Sequence, residues 1–117
     1  MHKTKPAYNF PSSFRLKNGD QIQEVLVRAK KYKDRSLSIF IKSNSLGHPR
    51  LAIIIAKKNV ANAVERNRVK RLIRESFRLN QDKIKGNDII VFGYRGVETL
   101  TNSELQQCLV KNWQKCG

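Results

Sequence analysis

The stretch "LAIIIAKKNVANAVERNRVKRLIRESFR", residues 51–78, joins an apolar segment to a strongly basic one. The opening "LAIIIA" is apolar on both faces and too short for a buried helix, which predicts a central β-strand. Further along, Val69, Ile73 and Phe77 recur on one side at about 100° per residue. The stretch therefore predicts a strand followed by a long helix over roughly residues 61–80, with one helix face packed on a sheet.

Patterns on both sides of this stretch add further elements. A short amphipathic helix is predicted to begin near Asp20, because the apolar residues that follow recur at helical spacing. Residues 37–42 alternate as in a half-buried strand, and residues 88–94 predict another strand after a turn. Thr101, followed three residues later by Glu104, forms a capping-box pattern that predicts a last helix. This order of elements predicts an α+β sandwich with helices against one small sheet.

The charge of the chain is strongly unbalanced. Its 117 residues include 24 Lys and Arg against 9 Asp and Glu, which leaves a net charge of +15. A domain of this length tolerates the repulsion between its own positive charges when it binds a negatively charged partner. Nucleic acid is the first candidate, because contacts with its phosphates release condensed counterions and so supply binding affinity. An anionic membrane surface is the second, although no apolar run approaches the roughly 20 residues of a spanning helix.

The remaining features are those of one cytoplasmic domain. Residues 1–117 contain no repeat and no long linker, and the Pro-containing residues 1–13 predict an extended arm. The N-terminus "MHKTKPAYNF" lacks the apolar core of a signal peptide, which predicts a cytoplasmic protein. Because the spacing of Cys108 and Cys116 matches no zinc pattern, we expect two reduced thiols and no metal site.

The polar side of the predicted basic helix gathers positive charge in one arc, with two arginines beside the arc and two lysines ahead of the helix. These residues are Asn67, Lys70, Arg71, Arg74 and Arg78 in the arc, Arg66 and Arg68 beside it, and Lys57 and Lys58 upstream. A solvated helix face usually mixes both signs, whereas here only Glu65 and Glu75 are available. Arginine suits bidentate contact with phosphate, so the arc predicts an RNA or DNA surface with a log–log salt slope on the order of −3 to −5.

The segment "AKKNVANAVERNRVKRLIRESFR" resembles the signature region of the bacterial ribonuclease P protein subunit, with its Arg-Asn-Arg core followed by Lys-Arg. The resemblance runs from about Phe14 to Trp113, nearly the whole chain. It implies an αβββαβα two-layer sandwich, similar to a domain of a small-subunit ribosomal protein. Its small mixed sheet would contain a left-handed βαβ crossover that positions the basic helix, and a short additional strand near residues 30–33.

The resemblance also implies a function. In that family a large RNA subunit holds the catalytic Mg²⁺ ions and hydrolyses precursor tRNA at the mature 5′ end. The protein is the non-catalytic subunit of this endoribonuclease, and no catalytic residue is expected in it. It binds the catalytic RNA and the single-stranded 5′ leader of precursor tRNA. We expect one protein subunit per RNA subunit, and the holoenzyme could also form a larger assembly.

By position, the resemblance places RNA-facing residues on the basic motif and leader-binding residues on the sheet and the first helix. The RNA-facing residues are Lys57, Lys58, Arg66, Asn67, Arg68, Lys70, Arg71 and Arg74, to which the helix pattern adds Arg78. In the leader cleft, Phe40 falls on a strand aromatic of the family, whereas Ile22 and Leu26 occupy positions that are aromatic there. Aliphatic side chains stack on a base less well than aromatic rings do, so a core role for Ile22 and Leu26 stays equally open.

Other functions stay open at this point. A ribosomal or ribosome-assembly protein can also be a small basic α+β domain, and it would co-sediment with ribosomal subunits. A protein-only nuclease needs clustered acidic metal ligands, whereas Asp34, Asp82 and Asp88 are scattered along the chain. A helix-turn-helix DNA reader is disfavoured, because strands flank the basic helix on both sides.

Overall fold

The computed structural model describes residues 15–16 and 19–116, so the predicted arm over residues 1–13 lies outside the described residues. The element order that the resemblance implies is confirmed, with one short helix added before the last strand. The elements are α1 (Gly19–Arg28), β1 (Lys30–Asp34), β2 (Leu37–Ser43), β3 (Arg50–Ile55), α2 (Ala63–Leu79), α3 (Gln81–Ile84), β4 (Asn87–Gly93) and α4 (Asn102–Trp113). Short 3-10 turns over Val97–Thr99 and Gln114–Cys116 flank α4.

The strands form one mixed sheet in the order β1-β2-β4-β3. β2 pairs antiparallel with both β1 and β4, whereas β3 pairs parallel with β4. A parallel pair needs a long crossover connection, and α2 with α3 supplies it. β1 has the sequence KKYKD, which has no apolar alternation, so only the resemblance predicted it. Its exposed lysines suit the edge of a sheet, where they discourage pairing with another chain.

Helices cover both faces of this sheet. α2 and α4 pack against one face, where Ile39 and Val91 are buried. α1 packs against part of the opposite face, where its buried Val25 meets Ala52 and Ile90. Neighbouring residues of a strand point to opposite faces, so the central strands are apolar on both. The predicted sandwich is thus formed by the sheet with α2 and α4. α1 adds a partial layer on the opposite face, which the sequence pattern did not predict.

The crossover from β3 to β4 is left-handed, as the resemblance implies. The Leu51 side chain lies in the core beneath α2 and α4, while its carbonyl oxygen accepts a hydrogen bond from the Leu16 N–H at 3.0 Å, at the edge of β3 away from β4. For an L-residue this combination places β4 to the left of β3 when the sheet is seen from the helices with β3 running upward. Such crossovers are rare, since about 98% of βαβ connections are right-handed.

Side chains cap α2 at both ends. The Asn62 side chain accepts hydrogen bonds from the N–H groups of Val64 and Glu65. At the other end, the Asn80 side chain donates to a carbonyl of the last turn. Asparagine in these positions satisfies backbone groups that a helix leaves unpaired. α2 is therefore slightly shorter at each end than the predicted residues 61–80.

α2 and α4 pack closely on the same face of the sheet. The Trp113 indole N–H is buried and donates to Ser76 Oγ at 2.8 Å, and the ring meets Phe77 edge-on with centroids 6.4 Å apart. The predicted capping box is confirmed, because Thr101 and Glu104 each bond the other's backbone N–H at the start of α4. These contacts fix the apolar side of α2 and leave its basic side outward.

Candidate nucleic-acid interface

The basic side of α2 faces outward, together with the turn that precedes the helix. Most of the predicted RNA-facing residues are exposed there, and Lys70 is half-buried. The exposed ones are Lys57, Lys58, Asn67, Arg71 and Arg74. We call these five residues and Lys70 the α2 basic surface. Among residues 15–16 and 19–116, no carboxylate forms an ion pair with its lysines and arginines, so their charge is available to a ligand.

Arg68 joins α2 to the segment ahead of α4. Its Nη2 donates to the carbonyl oxygens of Glu98 at 2.8 Å and Leu100 at 3.2 Å. Its Nη1 donates to Asn102 Oδ1 at 2.7 Å, and Glu65 lies 3.6 Å from its Nε. The Arg68 side chain is only 22% exposed, so the main role of its guanidinium is to stabilise the fold through these hydrogen bonds.

Arg66 and Arg78 also have partners within the protein. Arg66 Nη1 donates to the carbonyl oxygen of Val60 at 2.8 Å, in the segment before α2. Arg78 Nη2 donates to both carboxylate oxygens of Glu75, at 2.7 and 2.9 Å. These two residues and Arg68 therefore differ from the α2 basic surface, because part of their hydrogen-bonding capacity is used inside the fold.

A cleft of about 240 Å³ opens between α1, the β3 edge and α2. Apolar side chains of Ile22 and Ile54 line it, and so do the cations Arg15, Lys70 and Arg74. An apolar wall can contact a base while cations contact the phosphates beside it. The cleft therefore extends the α2 basic surface towards α1.

A second cavity, of about 440 Å³, lies along the N-terminal half of α2. It is lined by Val64, which is 75% exposed, and by Glu65, Asn67, Arg68, Arg71 and Arg74. Arg74 also lines the cleft towards α1, so the two hollows adjoin at this residue. Two hollows that share Arg74 therefore lie beside the outward side of α2.

The predicted leader cleft contains an aromatic row that the sequence predicted only in part. Phe40 packs edge-on against Phe92 with ring centroids 5.6 Å apart, and Phe92 stacks on Tyr94 at 6.3 Å. Lys31 lies 5.7 Å from the Phe40 ring centroid and Lys33 lies 5.5 Å from that of Tyr94. We call Phe40, Phe92 and Tyr94 the aromatic row. The alternation of side chains along a strand could have predicted that Phe92 and Tyr94 share one face.

Both predicted α1 residues pack beside the aromatic row. Ile22 and Leu26 are half-buried and contact the core cluster that contains Val25, with Phe40 and Phe92 packed against the same cluster. Ile22 also lines the cleft of about 240 Å³, whereas Leu26 does not. The core role that the sequence left open therefore applies to both residues, and Ile22 in addition faces an open hollow.

A buried ion pair that the sequence did not predict fixes one end of β3 and β4. Asp88 is 1% exposed and lies in β4, within the strand predicted over residues 88–94. It accepts two hydrogen bonds of 2.8 Å from Arg50 and one of 2.7 Å from Asn44. Burial acts to raise the pKa of Asp88, but the hydrogen bonds from Arg50 and Asn44 outweigh it and hold that pKa below its ordinary value. Asp88 is thus a structural anion.

The described residues bring together no group of three or more His, Cys, Asp and Glu side chains that could hold a metal ion. Cys108 and Cys116 are free thiols, as expected. Burial raises the pKa of Cys116 to about 11 and also raises the pKa of Cys108, so both stay protonated and poorly nucleophilic near neutral pH. Within the described part of the chain, no helix is long and apolar enough to cross a membrane. What the site offers a ligand is positive charge and aromatic faces.

The mixed sheet, the left-handed crossover and the outward basic helix define a small basic α+β domain built around one unusual βαβ unit. The family model described as Ribonuclease P matches residues 10–117. The ribonuclease P protein component of Escherichia coli O157:H7 is 42% identical over 106 residues, which span 91% of this chain and 89% of that protein. The component from Shigella boydii serotype 18 matches to the same extent. The chain belongs to the ribonuclease P protein family.

Solved structures show the same fold. The RNase P protein of Staphylococcus aureus has 29% sequence identity and a TM-score of 0.77, with 87% of this chain and 93% of that chain covered. The RNase P protein of Thermotoga maritima has 24% sequence identity and a TM-score of 0.76, with 86% of this chain and 96% of that chain covered. The second comparison concerns the fold alone, and both agree with the αβββαβα order.

Proposed function

We propose that this chain is the non-catalytic protein subunit of ribonuclease P, the endoribonuclease that forms the mature 5′ end of tRNA. It acts as one RNA-binding domain, with one protein per RNA subunit. The α2 basic surface binds the catalytic RNA, and the face shared by α1 and the aromatic row binds the 5′ leader of precursor tRNA. The observation that carries the proposal is the outward cluster of cations on α2, in a chain of the ribonuclease P protein family.

The α2 basic surface suits the backbone of an RNA strand. Arg71 and Arg74 are exposed, and the planar guanidinium fork matches the geometry of a phosphate group. Lys57 and Lys58 add two exposed charges ahead of the helix. Because the opposite side of α2 is buried against the sheet and α4, a rigid support presents these charges, which limits the entropy lost on binding.

The aromatic row suits the leader, because the bases of a single strand are free to stack. Phe40, Phe92 and Tyr94 lie side by side on the same face of the sheet. Lys31 and Lys33 lie over the same rings and supply charge for the phosphates between the bases. Stacking of a base on an aromatic ring contributes about 1–3 kcal/mol and tolerates any base, which fits binding without sequence specificity.

In this proposal Mg²⁺ is held mainly by the RNA subunit, which performs the hydrolysis. Mg²⁺ takes oxygen ligands in an octahedral arrangement, chiefly carboxylates, phosphates and water. The described residues of the protein do not fit such a site, since they contain no suitable group of acidic side chains. The cations of α2 would instead neutralise RNA phosphates, which allows RNA and substrate to associate at lower Mg²⁺ concentration.

Cleavage of a precursor tRNA with a 5′ leader by the cognate RNA subunit at low Mg²⁺ tests the proposal. The natural chain should stimulate cleavage, and Arg71→Gln/Arg74→Gln should lose most of that stimulation. Lys83→Gln/Lys85→Gln removes the same charge from exposed positions at α3 and should stimulate as the natural chain does. Absence of stimulation by the natural chain would refute the proposal, and so would equal losses in the two variants.

A further inference from the structure

A third cavity, of about 250 Å³, lies where the end of α1, the edge strand β1, the end of β2 and the C-terminal 3-10 turn meet. It shares no lining residue with the α2 basic surface or with the two hollows beside α2. Four of its lining side chains are cations. They are Arg28, Lys30, Lys42 and Lys115. We call this hollow the second basic cavity.

One described carboxylate acts on the second basic cavity, because Asp88 of β4 lies opposite Lys42 of β2 and attracts its charge. No Asp or Glu lines it, and the ion pairs among residues 15–16 and 19–116 involve other lysines and arginines. Lys42 Nζ donates to the carbonyl oxygen of Ser43, at 3.2 Å. Because a solvated surface usually mixes charges of both signs, four cations beside a single acid that Arg50 already binds favour an anionic partner.

Neutral groups hold this cavity in shape. Lys115 Nζ lies 4.5 Å over the Tyr32 ring, which positions its charge at the cavity. The Asn87 side chain is nearly buried and donates to the carbonyl oxygen of Cys116 at 3.4 Å, which ties the C-terminal turn to β4. Tyr32 and Ser43 also line the cavity, and a hydroxyl group is able to donate to an anion. Contacts within the fold therefore restrict the position of Lys115 at the cavity.

We propose that the second basic cavity binds phosphates of a second RNA segment, apart from the RNA at the α2 basic surface. A phosphodiester carries one negative charge, so four cations match several successive phosphates of a strand better than a single free phosphate. α2 contains six of the 24 lysines and arginines of the chain, so much of the +15 net charge lies elsewhere and also requires a partner. The inference rests on the proposed function for the identity of the RNA, but the cavity is independent of α2.

An NMR titration of the full chain tests this inference, with a short oligouridylate as the probe and inorganic phosphate in a parallel arm. The oligonucleotide should shift the backbone amide signals of Ser43 and Asn87. Lys42→Gln/Lys115→Gln should weaken that response about tenfold at low salt, as expected for the loss of two phosphate contacts. Lys83→Gln/Lys85→Gln, which removes the same charge elsewhere, should respond as the natural chain does.

Several results would overturn the inference. Unchanged shifts in Lys42→Gln/Lys115→Gln, or equal losses in both double variants, would show that the cavity is not the binding site. Shifts produced by inorganic phosphate but not by the oligonucleotide would mark a site for a free anion instead. A failure of the proposed function can be distinguished from a failure of this inference. In the first case the chain would not stimulate cleavage, but the oligonucleotide would still shift the Ser43 and Asn87 signals, and that result would support binding at the cavity.

Discussion

Arg68 Nη2 lies 2.8 Å from the carbonyl oxygen of Glu98, and this hydrogen bond joins the basic helix to the segment that leads into α4. Arg68 is the last arginine of the Arg-Asn-Arg core, and Asn67 between the two arginines is exposed. Neighbouring residues of the same motif therefore have different tasks. Arg68 stabilises the packing of α2, whereas Asn67 and Arg71 are free to contact a ligand.

Arg68→Ala should lower the free energy of unfolding by about 2 kcal/mol, because hydrogen bonds to a charged donor contribute about 1.5–3 kcal/mol and two carbonyl groups lose their partner. Arg71→Ala, at an exposed position of the same helix, should change stability by less than about 0.5 kcal/mol. Urea unfolding followed by circular dichroism measures both. Equal stability of the two variants would contradict a structural role for Arg68.

Arg71→Gln/Arg74→Gln should weaken the salt dependence of binding to the ribonuclease P RNA subunit. Each lost phosphate contact lowers the magnitude of the log–log slope by about 0.7–0.9, so two lost contacts lower it by about 1.5. Filter binding over a series of KCl concentrations measures the slope, and Lys83→Gln/Lys85→Gln should keep the slope of the natural chain. A slope that stays unchanged in Arg71→Gln/Arg74→Gln would mean that these arginines contact no phosphate.

Asp88→Asn should destabilise the protein at neutral pH by about 3 kcal/mol, because it removes the ionic partner of the partly buried Arg50. The folded-state pKa of Asp88 lies below its ordinary value of 3.8, so the carboxylate contributes stability above that value. This contribution is lost as the pH falls through the folded-state pKa. The difference in stability between the natural chain and Asp88→Asn should therefore be constant near neutral pH and narrow once the pH falls below 3.8.

Urea unfolding at about pH 7 and about pH 3 measures this difference. Asp82→Asn makes the same chemical change at an exposed position of α3 and should leave stability nearly unchanged at neutral pH. If the difference between the natural chain and Asp88→Asn were as large in acid as at neutral pH, the ion pair with Arg50 would not be its source.

Phe40→Leu should reduce the affinity for precursor tRNA by about tenfold in the assembled ribonucleoprotein, because it keeps an apolar side chain and removes a ring on which a base can stack. Affinity for mature tRNA, which has no leader, should stay unchanged. Equilibrium binding of the two RNAs at one salt concentration provides the comparison. A loss of equal size for both RNAs would place the effect of Phe40 outside the leader cleft.

Local patterns predicted the elements whose apolar residues are regularly spaced. β3 and α2 were predicted because an apolar run and a helical repeat are properties of the sequence itself. β1 was not predicted from its own residues, since its lysines and tyrosine become a strand only through pairing with β2. The partial layer formed by α1 was also missed, because the periodicity of a helix does not tell which face of a sheet it covers.

In the candidate site, too, local patterns predicted some features and missed those that depend on long-range contacts. Helical spacing predicted the cations of the α2 basic surface, but it could not tell that Arg68 turns towards Glu98 and Asn102, thirty or more positions further along the chain. The pair of Arg50 and Asp88 is separated by 38 positions and brought together by the parallel pairing of β3 and β4. Contacts of this range depend on the topology, which a local pattern does not contain.

The buried contact between Trp113 and α2 also provides an optical signal. The chain contains one tryptophan, and its indole is hydrogen-bonded to Ser76 and packed on Phe77, on the side of α2 opposite the α2 basic surface. Tryptophan fluorescence of the unlabelled protein therefore comes from a single, buried site behind the proposed RNA surface. Binding that leaves α2 in place should keep the emission at short wavelength, whereas binding that lifts α2 from α4 should admit water and shift it to the red.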